Sequence, residues 1–186
     1  LSKAWLKLPS LKPSIVVGFR GYPTIPPLLA LRLNDTLDRQ TRAAAAIERH
    51  LVWIDTHGAH PATGLPASHV NEQHENYGSP PRGCDLSLRV GFMKLLDPSR
   101  ARALYERYAR HFWSELGAFA GFREYPRGHR GRMDMDSGPI VLGIGMAATG
   151  FGLNATRVAG DGMRELRLGL LLFKVDVVLR TAAAMR

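Results

Sequence analysis

The sequence predicts an all-α fold of helical hairpins, and three observations carry that prediction. Segments apolar on one face alternate along the chain with segments apolar all round. Helix starts are marked by Asp97-Pro98 and by Ser137 with Pro139. No stretch alternates apolar and polar residues for long enough to read as a strand. A two-faced helix covers a fully apolar one, so each hairpin buries its apolar member. A ring of inner helices wrapped by outer ones, an α/α toroid, has this order. With helices of about three to four turns, the chain supplies roughly half of such a ring. The expectation is therefore an incomplete ring, either a fragment of a longer chain or one half completed by a second copy.

Along the chain, residues 1–27 read as an extended segment, because Pro9, Pro13, Pro23, Pro26 and Pro27 interrupt any helix. Residues 28–186 form the helical-hairpin domain. A first helix is expected from about Leu28 to Thr56, with Asp35 as a cap and Ala43 to Ala46 as its strongest helix-forming run. His57-Gly58 ends it, and a polar loop to Pro81 follows. A second helix, Arg82 to Leu96, carries Leu86, Leu88, Val90, Phe92, Met93, Leu95 and Leu96 and should lie inside. Asp97-Pro98 then opens a third, whose stripe Ala101, Leu104, Tyr105, Tyr108 and Phe112 is amphipathic. The segment Glu115 to Arg132, punctuated by glycines, reads as a loop. Ser137 and Pro139 are read as opening a fourth, wholly uncharged helix to about Thr156, and Gly160-Asp161 as ending it and capping a fifth.

Composition narrows the function classes. Hydrophobic residues make up 45% of the 186, enough for a domain core. The chain begins at Leu1 without a leader pattern, so its start reads as a cut within a longer protein. One cysteine, Cys84, allows no internal disulfide and no zinc spacing, which fits a reducing compartment. The expected address is the cytoplasm or the cytoplasmic face of a membrane, with Lys3, Lys7 and Lys12 suiting attachment through an upstream segment. The net charge is +9, but arginines are spread over helix faces and no nucleic-acid-binding motif is present, so no nucleic acid is expected as partner. The uncharged run Ser137 to Thr156 approaches the length of a membrane span, yet its many Gly and Ala residues suit close helix packing instead.

Two loops precede the apolar helices, and inner helices sharing one direction would gather both at a single mouth. The first holds Asn71, His74, Glu75, Tyr77, Arg82, Cys84 and Asp85; the second holds Glu124, Tyr125, Asp134, Asp136 and Ser137. Loops of this length without structure of their own are commonly functional. Asp134 and Asp136 are the first candidates for acid/base work, since like charges held close drive one pKa up. His74, Glu75 and Tyr125 complete the catalytic candidates as relay groups. Arg82, Asn71, Tyr77, Cys84, Asp85, Glu124 and Ser137 are the candidates for holding a small-molecule substrate. The competing reading makes one aspartate a helix cap and pairs the other with Arg82 or Arg132. No cofactor and no metal are expected: P-loop, HExxH and GxSxG patterns are absent, and Gly143, Gly145, Gly150 and Gly152 are read as lying within a helix and not after a strand.

Ser79-Pro80-Pro81-Arg82-Gly83-Cys84, Leu96-Asp97-Pro98 followed by Tyr105 and His111-Phe112-Trp113, and Asp134 to Pro139 with Ala148-Thr149-Gly150-Phe151 form a set of phrases. Over roughly residues 35 to 160 the chain resembles bacterial α/α-barrel proteins of the linalool dehydratase/isomerase-like kind. The resemblance implies a helical toroid and cofactor-free acid/base elimination and isomerisation of an allylic alcohol. It also implies a site of cysteine, tyrosine, aspartate and histidine side chains, types that Cys84, Tyr77, Asp85 and His74 supply. The expected activity is thus lyase- or isomerase-like, on a small alcohol or terpenoid-like substrate. Two readings stand beside it: a carbohydrate-processing toroid enzyme, where a carboxylate pair flanks a glycosidic bond, and a non-catalytic helical scaffold or membrane-associated module.

Overall fold

The computed structural model describes residues 25–71, 76–117 and 119–184. His74, Glu75 and residues 1–24 of the extended segment lie outside them. Helix α1 spans Ile25–Leu37, and Pro26 and Pro27 sit in its first turn, where a missing N–H costs nothing. Helix α2 spans Ala44–His57. The single helix expected from Leu28 to Thr56 is therefore two, broken where Arg39 takes a positive φ of 52°. Asp35 does cap, but across the break: its Oδ2 accepts from Ala43 N at 2.7 Å, at the start of α2.

Strands β1 (His69–Asn71) and β2 (Asn76–Ser79) pair antiparallel and lead into α3, Gly83–Leu96. Helix α4 is Pro98–Phe112; the Asp97 carboxylate accepts from Ser99 N at 2.9 Å and Arg100 N at 3.0 Å, the cap expected of Asp-Pro. A second hairpin follows at once, β3 (Trp113–Leu116) with β4 (Phe119–Phe122), turning through Gly117 at φ 59°. A third joins β5 (Ile140–Val141) to β6 (Ile144–Gly145). Its two central residues, Leu142 and Gly143, both have positive φ, 51° and 84°, as a two-residue hairpin turn of matching twist requires. Helix α5 spans Met146–Ala159, ending at Gly160 in the left-handed conformation, and α6 spans Gly162–Ala184.

These hairpins correct the fold class: the described residues are mixed α/β, with three two-stranded antiparallel sheets among them, and show no α/α toroid. The ring-completing second copy loses its basis with it. Three local readings fall for stated reasons. Glu115 to Arg132 is not all loop, because Phe119–Phe122 packs against α5 and pairs with Trp113–Leu116 of β3. Ser137 and Pro139 do not open a helix, since Gly138 at φ 58° and the Leu142-Gly143 turn interrupt the run before Met146. Gly143 accordingly stands in the turn before β6 and Gly145 within it, and of these four glycines Gly150 and Gly152 are helical. Among the described residues no helix is long and apolar enough to cross a membrane.

The core follows much of the sequence pattern, although Leu95, expected inside, is exposed. Helix α3 buries Leu86, Ser87, Val90 and Met93, and α4 buries the expected stripe Ala101, Leu104, Tyr105, Tyr108 and Phe112. Phe122 of β4 stacks on Tyr108 with ring centroids 4.4 Å apart. Ser87 Oγ lies 2.7 Å from Tyr108 Oη, and the carbonyls of Ala148 and Gly83 accept from these two hydroxyls at 2.8 and 3.2 Å. This buried polar set ties α3, α4 and α5 together. A smaller cluster of Ile25, Leu28, Ile47, Leu51, Met93 and Ala101 fastens α1 and α2 to the far end of α3.

Candidate functional site

The N-terminus of α3 is built against the segment that follows β4. Arg82 precedes the helix in extended conformation, and Gly83 N donates to Glu124 O at 2.8 Å. A Cβ on Gly83 would overlap the Arg123 carbonyl and stand 2.8 Å from Ala148 Cβ, so glycine permits this approach. On its other side Glu124 N donates to Gly143 O at 3.1 Å, which seats the β5–β6 turn over it. Glu124 is thereby fully buried.

Its carboxyl is held on one oxygen only. Oε1 accepts from Arg82 Nε at 2.8 Å and from the Cys84 thiol at 3.1 Å. Oε2 is buried with no hydrogen-bond partner among the described residues, and a Cβ on Gly145 would come within 2.7 Å of it. Burial pushes the Glu124 carboxyl above the ordinary carboxylate range, against the pull of Cys84 and Arg82. Burial, followed by the Glu124 charge, also pushes the Cys84 thiol well up, so the cysteine is a proton donor and not a thiolate.

Arg82 reaches outward as well. Nη1 and Nη2 donate to Asp134 Oδ2 and Oδ1 at 2.6 and 2.8 Å, and that pairing above all holds the Asp134 carboxyl well below its usual range. Asp134 Oδ1 also accepts from Ser137 N at 2.9 Å and Asp136 N at 3.1 Å, closing a side-chain turn. The Arg82 guanidinium lies 5.7 Å from the Tyr125 ring centroid, and Tyr125 Oη donates to Arg132 O at 2.9 Å.

The two loops thus do meet, and six of the candidates come together: Arg82, Cys84, Glu124, Tyr125, Asp134 and Ser137. Asp134 is committed to Arg82, as the competing sequence reading had it, while Asp136 is exposed and contributes its backbone N–H. Asp85 turns from the cluster into a buried ion pair with Arg89, Nε to Oδ2 at 3.0 Å, with Ser68 Oγ at 3.4 Å. Asn71 and Tyr77 belong to β1 and β2. Sequence reasoning placed Glu124 among binding residues and passed over Gly83 and Gly145, whose small size gives the cluster its closeness. Among the described residues no group of three histidine, cysteine, aspartate or glutamate side chains is arranged to hold a metal ion.

The chain matches no family model, and no solved structure matches it. A stretch of 56 residues is 45% identical to a UDP-N-acetylglucosamine--N-acetylmuramyl-(pentapeptide) pyrophosphoryl-undecaprenol N-acetylglucosamine transferase of Bradyrhizobium sp. strain ORS 278. The transferase of the same description from Bradyrhizobium sp. strain BTAi1 is equally similar. The match takes in 30% of this chain and spans 15% of the length of either relative.

Proposed function

We propose that the Glu124 cluster is a cofactor-free proton-transfer site acting on a small alcohol. One observation carries this reading: a buried carboxyl with raised pKa keeps Oε2 without a partner while Arg82 and Cys84 fix Oε1. In the protonated form, Oε2 gives its proton to the substrate hydroxyl, and the C–O bond breaks with its electron pair on the departing water. The carbocation then loses a proton from the neighbouring carbon to Oε2, leaving a C=C bond and restoring the acid. For an allylic alcohol, return of water at the other end of the cation gives the isomer. Arg82 orients the carboxyl and Asp134 orients Arg82; both are positioning residues. Access to Oε2 runs past Gly145, so the β5–β6 hairpin must move aside for substrate.

The experiment is product analysis with a tertiary allylic alcohol. Glu124→Gln should lower turnover by about 10²- to 10⁴-fold, and wild-type activity should fall as pH rises through the Glu124 pKa. Full turnover in Glu124→Gln ends the proposal.

The partial match to the N-acetylglucosamine transferases favours a second reading, that the chain handles a carbohydrate substrate. Calorimetric titration with UDP-N-acetylglucosamine tests it: saturable binding supports the reading, and its absence rejects it.

A further inference from the structure

A second concavity lies away from Glu124, where α1, α2, α3 and α4 meet, and has a volume of about 320 Å³. That is the size of a small-molecule site and holds about ten water-sized groups. Its apolar wall is Ile25, Leu51, Ile54, Met93 and Leu104. Helix geometry explains the lining: Arg100, Ala103, Leu104 and Arg107 of α4 stand at i, i+3, i+4 and i+7, on one face.

Three guanidinium groups and the carboxylate of Asp55 share the cavity, and two of the guanidinium groups are already matched. Arg89 pairs with Asp85 at 3.0 Å; Arg100 pairs with Glu48 at 2.5 Å, Asp55 at 2.7 Å and Asp97 at 3.4 Å. Arg107 has no carboxylate partner among the described residues, and its Nε is buried without an acceptor. The cavity thus offers an apolar body and one cation lacking its anion, an arrangement that a buried donor tolerates poorly when empty.

We propose that this cavity binds a small monoanionic amphiphile, a carboxylate on an apolar body of about ten non-hydrogen atoms, with Arg107 holding the anion. The proposal is independent of the Glu124 chemistry. The test is calorimetric titration of the full chain with sodium octanoate, and with octanol as the uncharged control. Octanoate should bind saturably and at least about tenfold more tightly than octanol. Arg107→Gln should remove that advantage and leave octanol binding unchanged, while Glu124→Gln should bind octanoate as wild type does. Should Arg107→Gln fold poorly, Ala103→Trp, at an exposed lining position of α4, fills the cavity and should abolish binding of both ligands. No saturable octanoate binding, equal affinity for octanol, octanoate binding undiminished in a folded Arg107→Gln, or undiminished in Ala103→Trp would each overturn the proposal.

Discussion

Arg82 and Asp134, 52 positions apart in sequence, form a two-point ion pair: Nη1 to Oδ2 at 2.6 Å and Nη2 to Oδ1 at 2.8 Å. The same guanidinium gives Nε to the buried Glu124, so one side chain joins an exposed and a buried carboxyl. Arg82→Gln leaves Glu124 without its cation and should destabilise the fold by about 3–5 kcal/mol. Urea unfolding at neutral pH measures it, and a loss near zero contradicts the assigned role of the pair.

Asp134 is held below its ordinary value of 3.8 in the folded chain. A carboxyl with a depressed folded pKa contributes stability above its unfolded pKa and loses it as pH falls through the folded one. Wild type should therefore lose stability steadily as the pH drops below about 4. Asp134→Asn should be less stable at neutral pH and show a shallower acid limb, read from melting midpoints across pH.

Glu124 has the opposite sign. Its folded pKa is raised from 4.5, so its stabilising effect is complete below that value and declines as pH climbs toward the folded pKa. Glu124→Gln, nearly isosteric and always neutral, should flatten stability against pH across that window. An unchanged pH dependence would show that the carboxyl titrates normally.

Glycines separate close approach from mere helix breaking. Gly83→Ala should cost about 3 kcal/mol or more, because its Cβ would strike the Arg123 backbone oxygen, which cannot swing away. Gly150→Ala, within α5 and facing open space, should stabilise by about 0.5–1 kcal/mol through helix propensity. Chemical denaturation of the pair distinguishes them, and like effects would refute the placement of α3 against Glu124.

His50 and His60 are both buried with pKa values lowered from 6.5, by burial first, then by Arg89 for His50 and by His129 and His111 for His60. Each takes up its proton at a lower pH in the fold than in the unfolded chain. Stability should therefore be lost as pH falls from 6.5 toward the folded values. The double variant His50→Gln, His60→Gln should show a smaller decline of melting midpoint between about pH 7 and pH 5.

Much of the helical framework was legible because its signals are local. Asp97-Pro98 caps α4 within three residues, the stripe from Ala101 to Phe112 is read on one helix face, and Gly160-Asp161 marks both an end and a start. The hairpins were missed because their strands are short and carry glycines that local reasoning assigns to loops. Gly121 sits within β4 because α5 lies against it: a Cβ there would come 2.7 Å from Thr149 Oγ1. The site was half legible. The sequence offered Arg82 or Arg132 as the partner of one of the two aspartates, and the fold chose Arg82 with Asp134, whereas the burial of Glu124 left no trace in Arg123-Glu124-Tyr125 itself.

The sequence by itself determined where α3 and α4 run and the stripe that α4 buries, since hydrophobic periodicity and capping act over a few residues. Tertiary structure alone decided that β3–β4 and β5–β6 form and that Glu124 is buried against Arg82, Cys84 and Gly145 while Asp136 stays exposed. A pKa depends on burial and on the charge that reaches the group, and both come here from Arg82, Cys84 and Gly145, which contiguous residues cannot bring together.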